Sequence, residues 1–299
     1  MSVVFSKECQ KIITPKIIIF LLILLCSVLF YLTYTDNWNI PEMVKTVIFP
    51  NKKEIQVPAH TNPLGMEFVY IPPGEFLMGS RESEVGRFED ENQHQVFIFK
   101  GFYIQTTEVT QGQWKKIMGN NPSKFQNCGD NCPVENVSWE DAQEFIKRLN
   151  QKEGKEIYRL PTEAEWEFSA RAGSQKAFAN GDITQIDCEP DSNLDKMGWY
   201  CGNADNKTHE VARKSANAWG LYDMHGNVWE WCQDLYGDYP VYAVTVPTGS
   251  TEGTVRVVRG GGWVSVVMEC RSAKRDGNAP VLRFSDLGFR LLIPLGETP

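Results

Sequence analysis

The chain has 299 residues and a formal net charge of −8. This charge, without any stripe of lysine and arginine, excludes a nucleic-acid-binding surface, because phosphate binding needs clustered basic side chains. Hydrophobic residues make up 42% of the sequence, enough for a sizeable core, and the nine tryptophans and 24 glycines favour an irregular fold whose turns are held by large rings.

An apolar segment near the N-terminus, residues 17–34, carries no charge and approaches the ~20 residues that a membrane-spanning helix needs. Three lysines precede this segment and an aspartate follows it. The positive-inside rule therefore predicts a cytoplasmic stub at residues 1–16, a transmembrane signal anchor at 17–34 and a domain on the extracytoplasmic side of the membrane. A cleaved signal peptide and a lipoprotein modified at Cys26 are the alternatives, but the small residues that either processing site requires are missing.

Residues 35–63 show no sustained hydrophobic period and are interpreted as a linker. From Gly65 the character of the sequence changes. Residues 66–78 read as two short strands around a Pro-Pro-Gly turn, and the alternating apolar residues of 95–103 predict one further strand.

Two helices have clear start signals. Ser138, followed by acidic residues, is a predicted N-cap, and Thr162 with Glu165 forms a predicted capping box. A shorter helix is expected within residues 110–118. After Gly173 regular periodicity is almost absent, so this long segment must be held by buried rings, disulfides or a bound ion.

Six cysteines follow the anchor, and in an exported domain an even number favours disulfides. Cys128 and Cys132 lie in one loop and predict a local bridge; the alternative, a zinc knuckle, lacks a second cysteine pair of matching spacing. The remaining cysteines predict two further bridges, although the sequence leaves other pairings open: Cys188 with Cys201 and Cys232 with Cys270.

Eight motifs, in this order, resemble the formylglycine-generating enzyme, or sulfatase-modifying factor, family. The resemblance covers residues 64–296 and implies an α+β domain related to C-type lectins, an irregular mixed fold with low regular secondary structure and bound calcium. The motifs are Gly65–Gly79, Phe102–Thr110, Pro133–Trp139, Tyr158–Trp166, Trp219–Trp231, Arg259–Trp263, Cys270–Ala273 and Leu287–Arg290.

The active enzymes of the family that this sequence resembles are copper(I) oxidases. They hold the metal between two cysteines that lie five positions apart, shortly after a Gly-Gly-Ser segment. Here the first position is Ser265, the second falls by count on Cys270, and Gly262 replaces the serine of that segment. A hydroxyl is a poor copper(I) ligand compared with a thiolate. These two residues therefore form at best a degenerate catalytic site, and copper is not expected.

The resemblance also implies a calcium site. Asp223 and Glu230 would supply side-chain carboxylates, and Gly226 and Val228 would supply backbone carbonyls, the oxygen ligands that calcium prefers.

Several other residues have predicted structural roles. His225 is expected to be structural, and Trp229 and Trp231 are expected in the core. Three arginines are expected to make buried hydrogen bonds, since guanidinium groups suit paired acceptors: Arg271, Arg275 and Arg290.

Two intervals depart from the family pattern while the framework around them is kept. They resemble the ligand-binding intervals of the variable proteins of this fold, which suggests an exposed apolar patch that suits a protein partner. A buried apolar loop is the equally weighted alternative. The intervals are residues 264–269 and 276–286, and the predicted binding surface comprises Trp263, Val264, Val266, Val267, Met268 and Glu269.

The leading hypothesis is a membrane-anchored, extracytoplasmic domain that binds a protein or small-molecule ligand and does not oxidise cysteine. The alternative is an active formylglycine-generating oxidase, whose partner would be a sulfatase. A structural component of an envelope assembly is the third hypothesis.

Overall fold

The computed structural model describes residues 59–296 except 241, 243 and 246–248. The predicted stub and signal anchor lie outside the described residues, as does most of the predicted linker. Among the described helices, none has the length and apolar character to cross a membrane.

Short strands form three separate sheets. The first has the order β1-β2-β5-β11, the second β10-β6-β8-β9, and the third β3-β4-β7. The strands are β1 (His60–Thr61), β2 (Glu67–Ile71), β3 (Gly74–Met78), β4 (His94–Ile98), β5 (Phe102–Gln105), β6 (Trp229–Leu235), β7 (Val244–Thr245), β8 (Arg256–Arg259), β9 (Arg275–Asn278), β10 (Leu287–Gly288) and β11 (Leu292–Pro294).

The first strands agree with the sequence in part. β2 and β3 flank the Pro-Pro-Gly turn as predicted, but β2 pairs with β5 while β3 pairs with β4. The single strand predicted over 95–103 is wrong: β4 and β5 are separate strands in different sheets. Because β1 pairs with β2, His60 and Thr61 belong to a sheet rather than to the predicted linker.

Two of the four described α-helices begin directly after the caps predicted at Ser138 and Thr162, and a third lies within residues 110–118, where a short helix is expected. The helices are α1 (Gln111–Met118), α2 (Trp139–Glu153), α3 (Glu163–Arg171) and α4 (Leu194–Met197). Thr110, Ser138 and Thr162 each cap a helix through the hydroxyl, and in each case the third helical residue bonds back to the cap. Such boxes satisfy backbone N–H groups that a helix N-terminus would otherwise leave unpaired.

Apolar side chains from helices and sheets form three buried clusters. The largest includes Phe145 of α2 and Trp231 of β6, and the second includes Trp166 of α3. The third lies under the irregular C-terminal half and includes Val267 and Cys270.

Buried arginine–glutamate pairs connect segments that are distant in the sequence. Arg271 binds Glu84 and Glu91, Arg275 binds Glu163 through two bonds, and Arg290 binds Glu230 through two bonds. The predicted buried hydrogen bonds of these three arginines are confirmed. A buried charge needs such a partner, so these pairs fix the loops that carry them.

Candidate functional site

The glycine-rich turn after β8 sets the direction of the segment that follows. Gly260 and Gly261 have φ angles of 99° and 75°, in the left-handed region that favours glycine. A Cβ atom on Gly261 would lie 2.7 Å from Sγ of Cys270. The turn therefore lies directly against Cys270 at the end of the following segment, and a side chain at position 261 would disturb this contact.

Ser265 stabilises this turn with its hydroxyl. The side chain is buried, and its Oγ accepts hydrogen bonds from the backbone N–H of Gly262 and from Nε1 of Trp229, both at 3.1 Å. The backbone of Ser265 is also engaged: its carbonyl accepts from the N–H of Cys201 at 3.0 Å. The predicted copper position thus carries a structural hydroxyl.

Cys270 is a buried thiol in apolar surroundings. It belongs to the same cluster as Val267 and Tyr200, and burial raises the pKa of its thiol well above the usual range. A thiolate is the form that binds copper(I), and this environment disfavours it.

The cysteine pairing agrees with the sequence for two bridges and differs for the third. Cys128 is bonded to Cys132, and Cys188 is bonded to Cys201. The predicted Cys232–Cys270 bridge is wrong: both thiols are free and buried. The reason is that Cys232 on β6 packs into the second apolar cluster, whereas Cys270 lies in the third.

A cavity of about 260 Å³ opens beside Ser265. We call it the acidic cavity, because Glu269, Asp276 and Asp286 line it together with the half-buried indole of Trp229. Its lining residues are Trp229, Val258, Val264, Ser265, Glu269, Asp276, Asn278, Phe284, Asp286 and Leu287.

Burial and neighbouring charges together determine the protonation of the carboxylates in this cavity. Burial raises the pKa of Asp286, and the neighbouring Glu269 raises it further, while Lys124 lowers it. A cation in the cavity would relieve this repulsion between carboxylates and would therefore be attracted to it.

The predicted binding surface is only partly exposed. Val264 is 52% exposed at the rim of the acidic cavity, and Val266, Met268 and Glu269 are half-buried. Trp263 is also half-buried, and its Nε1 donates to the carbonyl of Ser285. The assignment of Val267 to this surface is wrong, because the short 3₁₀ helix Val267–Cys270 turns its side chain into the core.

The second interval supplies the larger exposed apolar area. Val281, Leu282 and Phe284 are exposed by 54%, 41% and 43%, and Phe284 shares the acidic cavity with Val264. The exposed alternative therefore describes the apolar residues Val281, Leu282 and Phe284, whereas the buried alternative describes Val267.

The predicted calcium residues lie in a buried acidic cluster. Oδ2 of Asp223 accepts a hydrogen bond from the N–H of Ala212, but its Oδ1 has no partner among the described residues. Glu230 instead accepts from Arg290 at 2.6 and 2.7 Å and from Nε1 of Trp166 at 2.8 Å. The charge of the Glu230 carboxylate is therefore already neutralised by Arg290, and both of its oxygens are engaged in hydrogen bonds.

Glu108 is an additional member of this cluster that the sequence analysis missed. Both of its carboxylate oxygens are buried and unpartnered among the described residues. Burial raises its pKa well above the usual range, and the charge of Asp223 raises it further. The only sequence signal was its place inside the Phe102–Thr110 motif.

The donor set fits a hard cation in part. Glu108 and Asp223 offer unpaired oxygens that suit calcium, while Glu230 is held by Arg290. Within the described part of the chain, no group of three or more His, Cys, Asp or Glu side chains is arranged to hold a metal. Backbone carbonyls, as predicted for Gly226 and Val228, would have to complete the shell.

His225 has the structural role that the sequence predicts. Its Nδ1 lies 2.9 Å from the carbonyl oxygen of Cys270, and its Nε2 accepts from the N–H of Ala179. Burial lowers the pKa of the ring to about 4, so the ring is neutral at physiological pH. Trp231 is in the core as predicted, whereas Trp229 lines the acidic cavity.

Two solved structures are similar to most of the described domain. Treponema denticola variable protein 1 has a TM-score of 0.71 and 30% identity, covering 79% of this chain and 98% of its own. PvdO from Pseudomonas aeruginosa has a TM-score of 0.67 and 30% identity, covering 80% of this chain and 98% of its own.

Curated relatives match over part of their length. Formylglycine-generating enzyme of Mus musculus is 35% identical over 65% of this chain, which spans 56% of that protein. Serine/threonine-protein kinase pkn1 of Chlamydia caviae is 31% identical over 83% of this chain, which spans 40% of that protein. The family profile described as the sulfatase-modifying factor enzyme 1-like domain matches residues 54–295. The chain therefore belongs to the sulfatase-modifying factor, or formylglycine-generating-enzyme-like, family.

Proposed function

We propose that the chain is a membrane-anchored, extracytoplasmic binding protein of this family, without cysteine-oxidase activity. In this proposal the acidic cavity receives a cationic group, an amine or guanidinium, from a protein partner or small ligand. The observation that carries it is the combination of Ser265, whose hydroxyl is used in a turn, with three carboxylates around the adjoining cavity.

The two described residues at the copper position, Ser265 and Cys270, are not a pair of thiolates, and this argues against oxidation. Copper(I) binding between two residues needs soft ligands, and Ser265 offers a hydroxyl that already accepts two hydrogen bonds. Cys270, the second candidate, is buried in an apolar cluster and stays protonated.

The cavity itself supports recognition of a cation. Glu269, Asp276 and Asp286 bring negative charge to a half-enclosed space, where electrostatic attraction is screened less than at an open surface. Trp229 adds an indole, whose face favours a cation. The exposed Val264 and Phe284 at the rim would contact the apolar part of a partner.

Calcium belongs to the proposal as a structural ion. Glu108 and Asp223 would hold it by side-chain oxygens, with backbone carbonyls of Gly226 and Val228 completing the shell. Bound calcium would neutralise the buried carboxylates and hold the Trp219–Trp231 segment, which carries Trp229 to the cavity.

Titration with arginine derivatives tests the cavity. N-acetyl-arginine amide should bind the full-length chain saturably, and the neutral isostere N-acetyl-citrulline amide should bind at least tenfold more weakly. Asp286→Asn should weaken binding of the arginine derivative by at least about tenfold, because a charge-assisted contact contributes roughly 1.5–3 kcal/mol. Glu75→Gln removes the same charge from an exposed position on β3 and is the matched control.

The competing oxidase proposal rests on the 35% identity with the mouse formylglycine-generating enzyme. Copper(I) titration and incubation of a Cys-x-Pro-x-Arg peptide with oxygen separate the two. Tight stoichiometric copper(I) binding that disappears in Cys270→Ala, or a peptide mass change that matches formylglycine, would support the oxidase and its sulfatase partner. Neither signal is expected, beside a positive control enzyme.

The membrane anchor is tested separately. Deletion of residues 17–34 should release the chain from the membrane fraction, and a protease added outside the cytoplasmic membrane should cleave the domain but leave an N-terminal tag intact. A tag removed by that protease would contradict the predicted orientation.

A further inference from the structure

A second cavity, about 450 Å³ in volume, lies between the loop that carries the Cys128–Cys132 bridge and the segment of residues 207–210. We call it the basic cavity, because Lys124 and Lys207 stand at its edge. Its lining residues are Lys124, Phe125, Asn127, Cys128, Lys207, Thr208, His209 and Glu210. The volume is in the range of small-molecule sites.

The charges at this cavity favour an anion. Neither Lys124 nor Lys207 forms an ion pair within the described part of the chain, whereas the only lining carboxylate, Glu210, is paired with Arg213. Both ammonium groups are therefore free of ion pairs among the described residues and available to a ligand, while Lys124 also acts at longer range on Asp286 and Glu135. Asn127 adds an amide that can donate hydrogen bonds.

An unpartnered hydroxyl provides an independent observation. Thr208 is 1% exposed, and its Oγ1 has no hydrogen-bond partner among the described residues although the residue lines the cavity. A buried hydroxyl without a partner costs free energy, so such a group marks a place where a ligand oxygen would be stabilising.

The walls of the cavity are fixed by rings and by a disulfide. His209 stacks on Trp199 with ring centroids 3.8 Å apart, and Phe125 packs edge-on against Trp263 at 5.4 Å. Sγ of Cys128 lies 3.3 Å from the carbonyl oxygen of Thr208. These contacts hold the cavity open, so a ligand would enter a preformed site.

We propose that the basic cavity is a binding site for a small organic anion, whose carboxylate or phosphate group is held by Lys124, Lys207 and Thr208 while its apolar body packs on Phe125. This site is separate from the acidic cavity and does not depend on the function proposed for it. The two cavities share no lining residue among those described, and Phe125 of the basic cavity packs against Trp263, the residue that precedes Val264 of the acidic one.

Histidine ring NMR provides a local test, because the chain has only four histidines. In the full-length chain with ¹³C-labelled histidine, the signal lost in His209→Gln is assigned to His209. Titration with benzoate or with inorganic phosphate at constant ionic strength should move this signal saturably and leave the signal of buried His225 in place. The stronger of the two anions identifies the preferred group, and neutral benzamide is the control for the apolar body.

His209 has a second useful property. Burial lowers the pKa of its ring and Lys207 and Lys214 lower it further, whereas the carbonyl of Ala204 and the charge of Asp205 raise it. A bound anion would offset these positive charges, so saturation should also raise the midpoint of the His209 titration.

Variants decide between a site and a general salt effect. Lys207→Gln should weaken the anion about tenfold and Lys207→Arg should restore most of the affinity, whereas Lys147→Gln, on the exposed face of α2, should change nothing. Thr208→Val removes the unpartnered hydroxyl at nearly constant shape and should weaken the anion while leaving the fold intact. Shifts that do not saturate, or equal affinities in Lys207→Gln and Lys147→Gln, would overturn the proposal.

Discussion

Arg290 and Arg283 form two ion pairs of the same geometry in opposite environments. Each guanidinium uses Nε and Nη2 to bind both oxygens of one carboxylate, Arg290 to Glu230 and Arg283 to Asp141. The side chains of the first pair are both 0% exposed, and those of the second are 47% and 29% exposed. The two pairs therefore differ in burial and in the additional hydrogen bonds that Arg290 makes.

Arg290→Met should lower the free energy of unfolding by about 3–5 kcal/mol, because it leaves the Glu230 carboxylate buried and without its counter-charge. Arg290 also donates to the carbonyls of Gln105 and Tyr222, so further buried acceptors lose their donor. Arg283→Met should cost only about 0–1 kcal/mol, the usual contribution of an exposed pair. A loss of the first size is a large share of the roughly 5–15 kcal/mol that stabilises most domains.

Urea unfolding of the full-length chain, followed by circular dichroism, measures both variants, and the dependence of the free energy on urea concentration should stay constant. The double variant Arg290→Met with Glu230→Gln should recover part of the loss, since it removes the unpaired charge. Equal, small losses for both arginine variants would refute the reasoning. So would a double variant that is less stable than Arg290→Met alone.

Three further predictions concern protons, calcium and disulfides. Burial raises the pKa of Asp234 to about 7, so the folded state keeps this proton at a pH where the unfolded state has lost it. The free energy of unfolding should therefore fall by up to about 4 kcal/mol between about pH 4 and 7. Asp234→Asn should show a flatter dependence on pH, and an unchanged slope would contradict the assignment. Calcium at 100 times its dissociation constant should stabilise the chain by about 2.7 kcal/mol, and thermal unfolding with and without chelator should show this gain disappear in Glu108→Gln; a gain that persists would place the ion elsewhere. Replacing Cys188 and Cys201 by serine should lower the free energy of unfolding by about 3 kcal/mol, and replacing Cys128 and Cys132 should lower it by about 2 kcal/mol. The reason is that the first bridge closes a longer loop, with a separation of 13 residues against 4. The same unfolding assay measures both pairs, and a reversed order would contradict the loop argument.

Local signals in the sequence predicted local structure well. The predicted caps at Ser138 and Thr162 are side-chain-to-backbone contacts over three residues, so neighbouring sequence contains all the information. The short Cys128–Cys132 bridge was predictable for the same reason. Helix starts and nearby bridges are therefore the reliable part of the prediction.

Features that depend on distant packing were not predictable from neighbouring residues. The run Val266–Met268 has no period that distinguishes the buried Val267 from half-buried neighbours; the 3₁₀ helix that turns it inward is fixed by backbone bonds to Ile186 and Asp187. Counting cysteines suggested a third bridge, but the two thiols belong to different apolar clusters. The fold family was predictable because its motifs are long, and the profile match confirms it.

The acidic cavity was predictable only in part. Ser265 was identified as a copper position, Glu269 as part of the predicted binding surface, and Asp276 and Asp286 as the ends of the second interval. Their meeting at one cavity depends on the placement of β9 and of the segment before β10. Glu108 joins Asp223 across more than one hundred residues of sequence, a contact that only the three-dimensional structure brings together.

The buried arginine–glutamate pairs do not involve the side chains of the partly exposed surface at residues 263–268 and 279–285. Arg259, Arg271, Arg275 and Arg290 bond to glutamates on other segments, and none of these bonds uses a side chain from residues 263–268 or 279–285. Substitutions at exposed positions such as Val264, Val281 and Leu282 therefore leave the ionic frame untouched. The domain can therefore exchange these outer residues at little cost to folding.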